Sequence, residues 1–319
     1  MKRWLIKYWF MAGLLGVTMA VMVDSSQWTI SIGRWLKSHH GPDIVIVLIF
    51  FLSGMVLDAV QIRKGLADLP ATGAALLVIF VVAPLVALIG RQLPLNVQIL
   101  TGLCLVAVMP TTLSSGVVMT GAAGGNMAHA LFVTIVANAL AVLTIPFGLS
   151  MLISGLGSSR VIEIDKAAIT LKIALLVLAP LLAGLAVRAK AQATINKIQS
   201  KVQWINQGMI LAIVWMALCQ SRPVLVSHLY AMLPIIGLVF LFHLLLLAAA
   251  FGIATLLGLP PGRRESVIFM GGQKTLPLSV ILQVKLFPDY GLTLVFCVAH
   301  HIIHLIMDGY LVEKLKQRR

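Results

Sequence analysis

The sequence is poor in charge and in cysteine. Only 11% of its 319 residues are charged, against about a quarter in an ordinary soluble domain. Acidic residues are the scarcest, with 10 Asp and Glu against 24 Lys and Arg. The 3 cysteines, Cys104, Cys219 and Cys297, are isolated in apolar stretches and fit neither disulfide nor metal-ligand spacing. This composition excludes a typical soluble domain and a cysteine-based metal site.

Long apolar runs take the place of the missing charge. Hydrophobic residues make up 60% of the chain, and a transmembrane helix needs about 20 such residues in sequence. Ten windows of about this length are 4–23, 43–62, 71–90, 97–121, 126–153, 165–187, 200–220, 229–257, 266–287 and 290–312. The sequence therefore predicts an all-α membrane protein with ten transmembrane helices. Enzyme chemistry would have to lie within the bilayer or on very short loops.

The positive charge follows the topology of these spans. A net charge of +14 would suit a nucleic-acid partner, but most Lys and Arg fall in alternate loops and at the termini. This asymmetry predicts a multi-pass protein of the cell inner or plasma membrane with both termini in the cytoplasm, and no nucleic-acid partner. The N-terminal run has no small-residue cleavage site, so we expect a retained first span.

Two of the ten spans contain helix breakers. The fourth carries "VMPTTLSSGVVMTGAAGGN" (108–126) and the ninth carries "MGGQKTLPLS" (270–279), about 160 residues apart. Five spans separate equivalent positions, so the halves 1–153 and 165–312 would have opposite topology. Paired interrupted helices in inverted repeats are typical of secondary transporters with a site near the membrane midplane.

The polar residues of the two breaks predict a binding site for an anion. If the broken helices cross, the N-termini of their half-helices present N–H groups and a positive dipole end. Thr111, Thr112, Ser114, Ser115, Gln273 and Thr275 would add neutral donors and acceptors.

Lys274 is the most unusual residue of the ninth span. An ammonium at the centre of a transmembrane helix costs about 2.5–3.5 kcal/mol on insertion scales. One alternative is a lysine that reaches an interface with its amine. We expect instead a buried cation that holds the crossing together, a group that titrates during coupling, or both.

Three histidines and an aspartate follow in the tenth span. His300 and His304 lie one turn apart, and His301 is near His304. Hydrogen bonding between helices and a proton relay are both open, whereas a metal site would need a further ligand. Asp308, like Asp58 in the second span, is expected to be an ion-pair partner at the inner surface.

The block "PTTLSSGVVMTGAAGGN…ALF", the lysine-bearing broken span and the histidine of the last span resemble the bile acid/sodium symporter superfamily, in particular its sodium/bile acid cotransporter 7-like branch. The resemblance implies a panel of spans 1, 2, 6 and 7 beside a core of spans 3–5 and 8–10. Spans four and nine would cross in that core.

The resemblance also implies which residues lie at the site. In sodium-coupled relatives, polar groups of spans four and five and a glutamate of span nine bind two sodium ions. Ser115, Gly116, Val117, Ala130 and Thr134 fall at or near the first group. Gln273 and His301 match family residues, and Asn126 is expected to cap the fifth helix. The candidate substrate- or ion-binding residues are therefore Thr111, Thr112, Ser114, Ser115, Asn126, Thr134, Gln273, Lys274, Thr275 and His301.

One departure from the family pattern changes the expected coupling. Phe269 stands where those relatives carry the glutamate, and Lys274 adds a fixed cation beside Gln273. Two unit charges about 4 Å apart repel by about 4 kcal/mol at an effective dielectric constant of 20. We therefore expect a site of no net negative charge that does not bind the usual two sodium ions.

These observations predict a secondary active transporter of a small organic anion, an amphipathic carboxylate or sulfate, that works by alternating access. Lys274 would replace a cation, and no cofactor is expected beyond proton or sodium coupling. The alternatives are a sodium-coupled symporter of the bile-acid type and a transporter-like regulatory protein. A channel and an intramembrane enzyme have weaker support, because neither a filter motif nor a complete catalytic set stands out.

Overall fold

The computed structural model describes residues 2–24, 26–57, 68–154, 156, 165–227 and 229–317. Every regular element in these residues is helical, as the apolar runs predicted. The inner end of the predicted second span, with Asp58, lies outside the described residues, as does most of the segment between the two predicted repeats.

Thirteen α-helices follow one another in the described part of the chain. In order, α1 to α13 are Lys2–Val23, Trp28–Ser38, Gly41–Val56, Leu69–Gly90, Val97–Ala107, Ser115–Ala122, Met127–Ile153, Lys166–Ile173, Ala179–Ser227, Met232–Leu256, Arg264–Gly272, Leu276–Leu286 and Gly291–Gln317. A π-helical turn interrupts α4 at Val78–Val82, and another joins α8 to α9 at Ala174–Leu178. The long α9 is kinked at Ala191, whose φ and ψ are not helical.

The helices have the length and composition of a membrane protein. In the described residues, 7 helices are long and apolar enough to cross a bilayer, and an eighth is obtained if α2 and α3, bent by 75°, count as one span. The α5 helix and residues 12–23 of α1 are shorter apolar helices. The count of ten and the inverted repeats 1–153 and 165–312 stay predictions.

Both predicted breaks are present. The fourth predicted span consists of α5 and α6 with irregular backbone between them, and the ninth consists of α11 and α12. Pro110 has no N–H to continue α5, and Gly271 and Gly272 end α11. Pro277 lies in the first turn of α12, where a missing N–H is tolerated. The breaks are thus encoded locally.

Glycines set the distance between α3 and α9. These helices pack along one another, and a Cβ on Gly54 would strike the Leu181 carbonyl oxygen. A Cβ on Gly184 would strike the Phe51 carbonyl oxygen. Because backbone atoms cannot retreat as a flexible side chain can, this crossing requires glycine at both positions, as in other membrane helix pairs with small residues at the interface.

We predict that Gly184→Ala destabilises the protein by about 1–3 kcal/mol, because the added methyl group forces α3 and α9 apart. The measurement is the melting temperature of the purified protein in detergent. Gly237→Ala on α10 is the control, since nothing lies within 4 Å of a Cβ built there. Equal melting temperatures for the two variants would contradict the close crossing.

Candidate functional site

The two breaks contact each other through their backbones. The Thr275 N–H donates to the Pro110 carbonyl oxygen at 3.0 Å. Gln273 and Thr275 have extended backbones, so the chain between α11 and α12 is not helical where it contacts Pro110. Irregular backbone at membrane depth persists only where protein or water satisfies its polar groups. The second break therefore supplies a hydrogen-bond donor to a backbone carbonyl of the first.

The Lys274 ammonium lies inside the protein and binds three backbone carbonyls. Its side chain is 1% exposed, and Nζ donates to the carbonyl oxygens of Ile79 at 2.9 Å, Ala107 at 3.1 Å and Met109 at 3.0 Å. An ammonium has three donors, and three acceptors are present. The geometry rules out the alternative in which this amine reaches an interface.

Local sequence explains why these carbonyls are available. In the π-helical turn of α4 the Ala83 N–H donates to the Val78 carbonyl, five residues earlier. The next hydrogen bond of this pattern would join the Ile79 carbonyl to the N–H of residue 84. That residue is Pro84, which has no N–H. Ala107 ends α5, and Met109 precedes Pro110 in the break. Lys274 thus satisfies carbonyls that the helices leave without a partner.

Gln273 connects the two breaks to the last helix. Its Oε1 accepts hydrogen bonds from Thr112 Oγ1 and Ser115 Oγ, both at 2.7 Å. Its Nε2 donates to Asp308 Oδ2 at 2.7 Å. A fully buried amide with both ends occupied holds α6, α13 and the ninth-span break in one arrangement.

Asp308 corrects the prediction of a surface ion pair. Its side chain is 0% exposed, and Oδ1 accepts a hydrogen bond from His243 Nε2 at 2.9 Å. The sequence did not predict a carboxylate here, and Asp308 contacts Gln273 on the side away from the Lys274 cation. The spacing of His300, His304 and Asp308, four residues apart on one helical face, is a signal that could have placed Asp308 in the interior.

His301 lies between the buried histidines and open space. Its Nδ1 is 2.9 Å from His304 Nε2, and its ring meets Phe10 edge-on with centroids 5.7 Å apart. His301 and Phe10 both line a cavity of about 650 Å³. We call this space the cavity.

Five of the predicted site residues line the cavity. Thr112, Ser114 and Ser115 line it at the start of α6, Thr275 lines it at the start of α12, and His301 lines it from α13. Residues that were not predicted complete its polar lining, namely Ser53, Asn206, Gln207, Tyr310, Glu313 and Lys316. Tyr310, Glu313 and Lys316 are exposed, so the cavity reaches the surface near the C-terminal end of α13.

The remaining predicted residues lie elsewhere. Gln273, Lys274, Thr111 and Thr134 are buried behind the cavity wall. Thr134 Oγ1 donates to the Ala130 carbonyl and is 3.3 Å from the Thr112 carbonyl, so it supports the break from α7. The hydroxyl of Thr111 is buried and has no hydrogen-bond partner among the described residues.

Asn126 belongs to a different polar cluster. Its Oδ1 accepts from the His129 N–H as the N-cap of α7, in agreement with the predicted cap, and it does not line the cavity. Nearby, Arg263 donates two hydrogen bonds to Asp68, at 2.6 Å and 2.7 Å. These bonds hold the pKa of the Asp68 carboxyl below its usual value. This cluster joins the starts of α4, α7 and α11.

Known proteins resemble the chain over most of its length. The profile of the SBF-like CPA transporter family matches residues 8–317. The probable sodium/metabolite cotransporter BASS4, chloroplastic, of Arabidopsis thaliana is 34% identical over 283 residues, which cover 83% of this chain. The chain spans 64% of that relative's length. Sodium/bile acid cotransporter 7-B of Xenopus laevis is 26% identical over 97% of this chain and 92% of its own length.

We predict that Lys274→Met lowers the melting temperature markedly, because three buried carbonyls lose their donor at a cost of about 1–3 kcal/mol each. Lys172→Met is the control, since Lys172 is half-buried on α8, away from the breaks. Thermal unfolding of both variants in detergent tests this. A Lys274→Met protein as stable as the wild type would show that the amine is not needed to hold the breaks together.

Proposed function

The chain belongs to the SBF-like CPA transporter family, and on this basis we propose that it is a secondary active transporter of a small organic anion. The resemblance read from the sequence is thereby confirmed at the level of the family. The curated relatives are named as cotransporters, not as enzymes. Their printed names include metabolites and bile acids, which fits an organic substrate.

The observation that carries the proposal is that two half-helices begin at one cavity. Residues 112–115 at the start of α6 and residues 275–277 at the start of α12 line the same space. Helix N-termini favour anions, and the hydroxyls of Ser114 and Thr275, which line the same space, can donate further hydrogen bonds. The rest of the lining is largely apolar, with Phe10, Ile49, Val118, Leu305 and Ile306 among its members. An amphipathic carboxylate or sulfate matches both parts.

The surroundings of Lys274 favour a site that does not need the two sodium ions of two-sodium carriers. Phe269 is fully buried and packs with Ala123, Val312 and Leu315, so no oxygen ligand is present at that position. At Gly116 a Cβ would lie 2.7 Å from Met270 Sδ, so a larger residue there would require the Met270 side chain to shift. In our proposal the ammonium of Lys274 occupies the crossing instead of a bound metal ion.

Sodium-coupled symport is the second candidate. The names of the relatives favour it, and the Asp308 carboxylate supplies negative charge to the network of the break. Hard cations need oxygen ligands and usually some anionic charge. Dependence of substrate binding on sodium separates the two candidates.

Alternating access would open and close the cavity from opposite sides. The Lys285 ammonium on α12 binds Asp43 on α3 at 2.7 Å, at the ends of these helices far from the cavity opening. In our proposal this ion pair closes one side while the cavity is open to the other. With both termini in the cytoplasm and ten spans grouped as panel and core, the open side faces the cytoplasm.

We predict that cholate and a steroid sulfate raise the melting temperature of the purified protein with choline in place of sodium. Stabilisation by a ligand present at about 100 times its Kd amounts to about 2.7 kcal/mol. Methyl cholate is the matched control, because esterification removes the charge that the helix N-termini would bind. Stabilisation that requires sodium would favour the second candidate, and equal binding of the ester would contradict the anion site.

We also predict that Asp43→Asn depopulates the cavity-open state by up to about fivefold, since the ion pair that holds α3 to α12 is lost. The measurement is the rate at which a charged maleimide labels Ser115→Cys in the cavity. The native cysteines Cys104, Cys219 and Cys297 are buried. Asp43→Glu keeps the charge and should label as the parent does. Unchanged labelling of the Asp43→Asn variant would argue against this closure.

A further inference from the structure

A buried cluster of histidines surrounds the Asp308 carboxylate and has no role in anion binding as proposed above. Asp308 accepts hydrogen bonds from His243 Nε2 at 2.9 Å and from Gln273 Nε2 at 2.7 Å. The side chains of Asp308, His243 and His304 are 0% exposed. Burial of a carboxylate costs several kcal/mol unless charge partners and hydrogen bonds compensate it, so such groups need an explanation.

Unpaired imidazole nitrogens are the second observation. His243 Nδ1, His300 Nε2 and His304 Nδ1 are buried and have no hydrogen-bond partner among the described residues. The His304 Nδ1 atom faces Asp308 Oδ2 at 3.8 Å, too far for a hydrogen bond and close enough for an ion pair. Buried polar atoms are paired in most proteins, and exceptions often mark a functional site.

The third observation is a connection to the cavity. His304 Nε2 lies 2.9 Å from His301 Nδ1, and His301 lines the cavity. His301, His304 and Asp308 thus follow one another from the cavity wall to the interior of the protein. Imidazole can relay a proton because in the neutral ring one nitrogen donates while the other accepts, and the two roles can be exchanged.

We propose that Asp308 is a proton-binding site, reached from the cavity through His301 and His304. The site itself is a property of the chain, and its use in coupling rests on the proposed transport function. The proton, rather than a metal ion, is the ligand that this cluster accommodates. No group of His, Cys, Asp and Glu in the described residues has the geometry of a metal site.

The transfer is balanced atom by atom. A proton from water in the cavity binds His301 Nε2, and the proton on His301 Nδ1 moves to His304 Nε2. The proton on His304 Nδ1 then moves to Asp308 Oδ2, once the 3.8 Å gap has shortened to hydrogen-bond length. The net result is one proton taken from the cavity and one neutral carboxyl group. Both rings end as the other neutral tautomer.

The ionisable groups that act on the cluster come from three elements. His300, His301 and His304 lie on α13 with Asp308, His243 comes from α10, and Lys274 comes from the break. Lys274 and the histidines oppose a second positive charge on the rings and also favour the ionised carboxylate, whereas burial of Asp308 favours its neutral form.

A bound proton would also change the breaks. Neutral Asp308 is a weaker acceptor for Gln273 Nε2 than the carboxylate is. Gln273 Oε1 holds Thr112 and Ser115, which line the cavity. Protonation at Asp308 is therefore transmitted to the proposed anion site through one amide side chain.

Infrared difference spectroscopy of the purified full chain tests the site without any substrate. We expect a carbonyl band of a protonated, buried carboxyl group to appear as the pH is lowered below neutrality. Asp308→Asn should abolish this band. Asp289→Asn should leave it, because Asp289 is exposed in the loop before α13 and does not line the cavity. Asp308→Glu, which keeps a carboxyl group, should shift the band rather than remove it.

The path is tested by the rate at which the band rises after a pH jump. We expect His301→Gln to slow it by at least about tenfold, as loss of a positioned proton carrier does elsewhere. His39→Gln, at an exposed position, should have no effect. The absence of a band sensitive to Asp308→Asn, or an unchanged rate in His301→Gln, would overturn the proposal. Neither result depends on ligand binding, so the proton site and the transport proposal fail separately.

Discussion

The structure depends on how the backbone carbonyls of two interrupted helices are satisfied within the membrane. Lipid offers no donors, so each orphaned carbonyl would cost several kcal/mol. The Lys274 ammonium supplies three donors to carbonyls of α4, α5 and the first break. This arrangement fixes the second break against the first. It thereby also positions Gln273 and Thr275, which flank Lys274 in the sequence.

Extended backbone then gives three consecutive residues three different surroundings. Successive side chains of an extended segment point to opposite sides. Lys274 faces the carbonyls of α4 and α5, whereas Gln273 faces Asp308 and the hydroxyls of Thr112 and Ser115. Thr275 lines the cavity. A single unwound segment therefore separates a fixed cation, a buried carboxylate and a cavity without any additional element.

Much of this arrangement is readable in the sequence, because helix breakers act locally. Pro110, the pair Gly271 and Gly272, and Pro277 predict both interruptions, and the rarity of lysine in apolar spans points to Lys274. The acceptor at Ile79 is not predictable in this way, since it depends on a π-helical turn in register with Pro84. Thr111 and Thr134 were expected at the site but are buried behind it, and Thr134 supports the break through its hydroxyl.

Asp308 shows why hydropathy alone misplaces a charged group. A hydropathy window assigns a carboxylate near the end of a span to the surface, because it contains no information about neighbouring helices. The Asp308 carboxylate can be buried here because His243, which lies 65 residues earlier in the sequence, donates a hydrogen bond to it. One ammonium and one carboxylate are thus buried on opposite sides of Gln273, each held by groups from other helices. Protonation would remove the negative charge and leave the positive one, so the cavity wall would become a better anion site when Asp308 is neutral. In our proposal the anion and the proton would therefore move in the same direction.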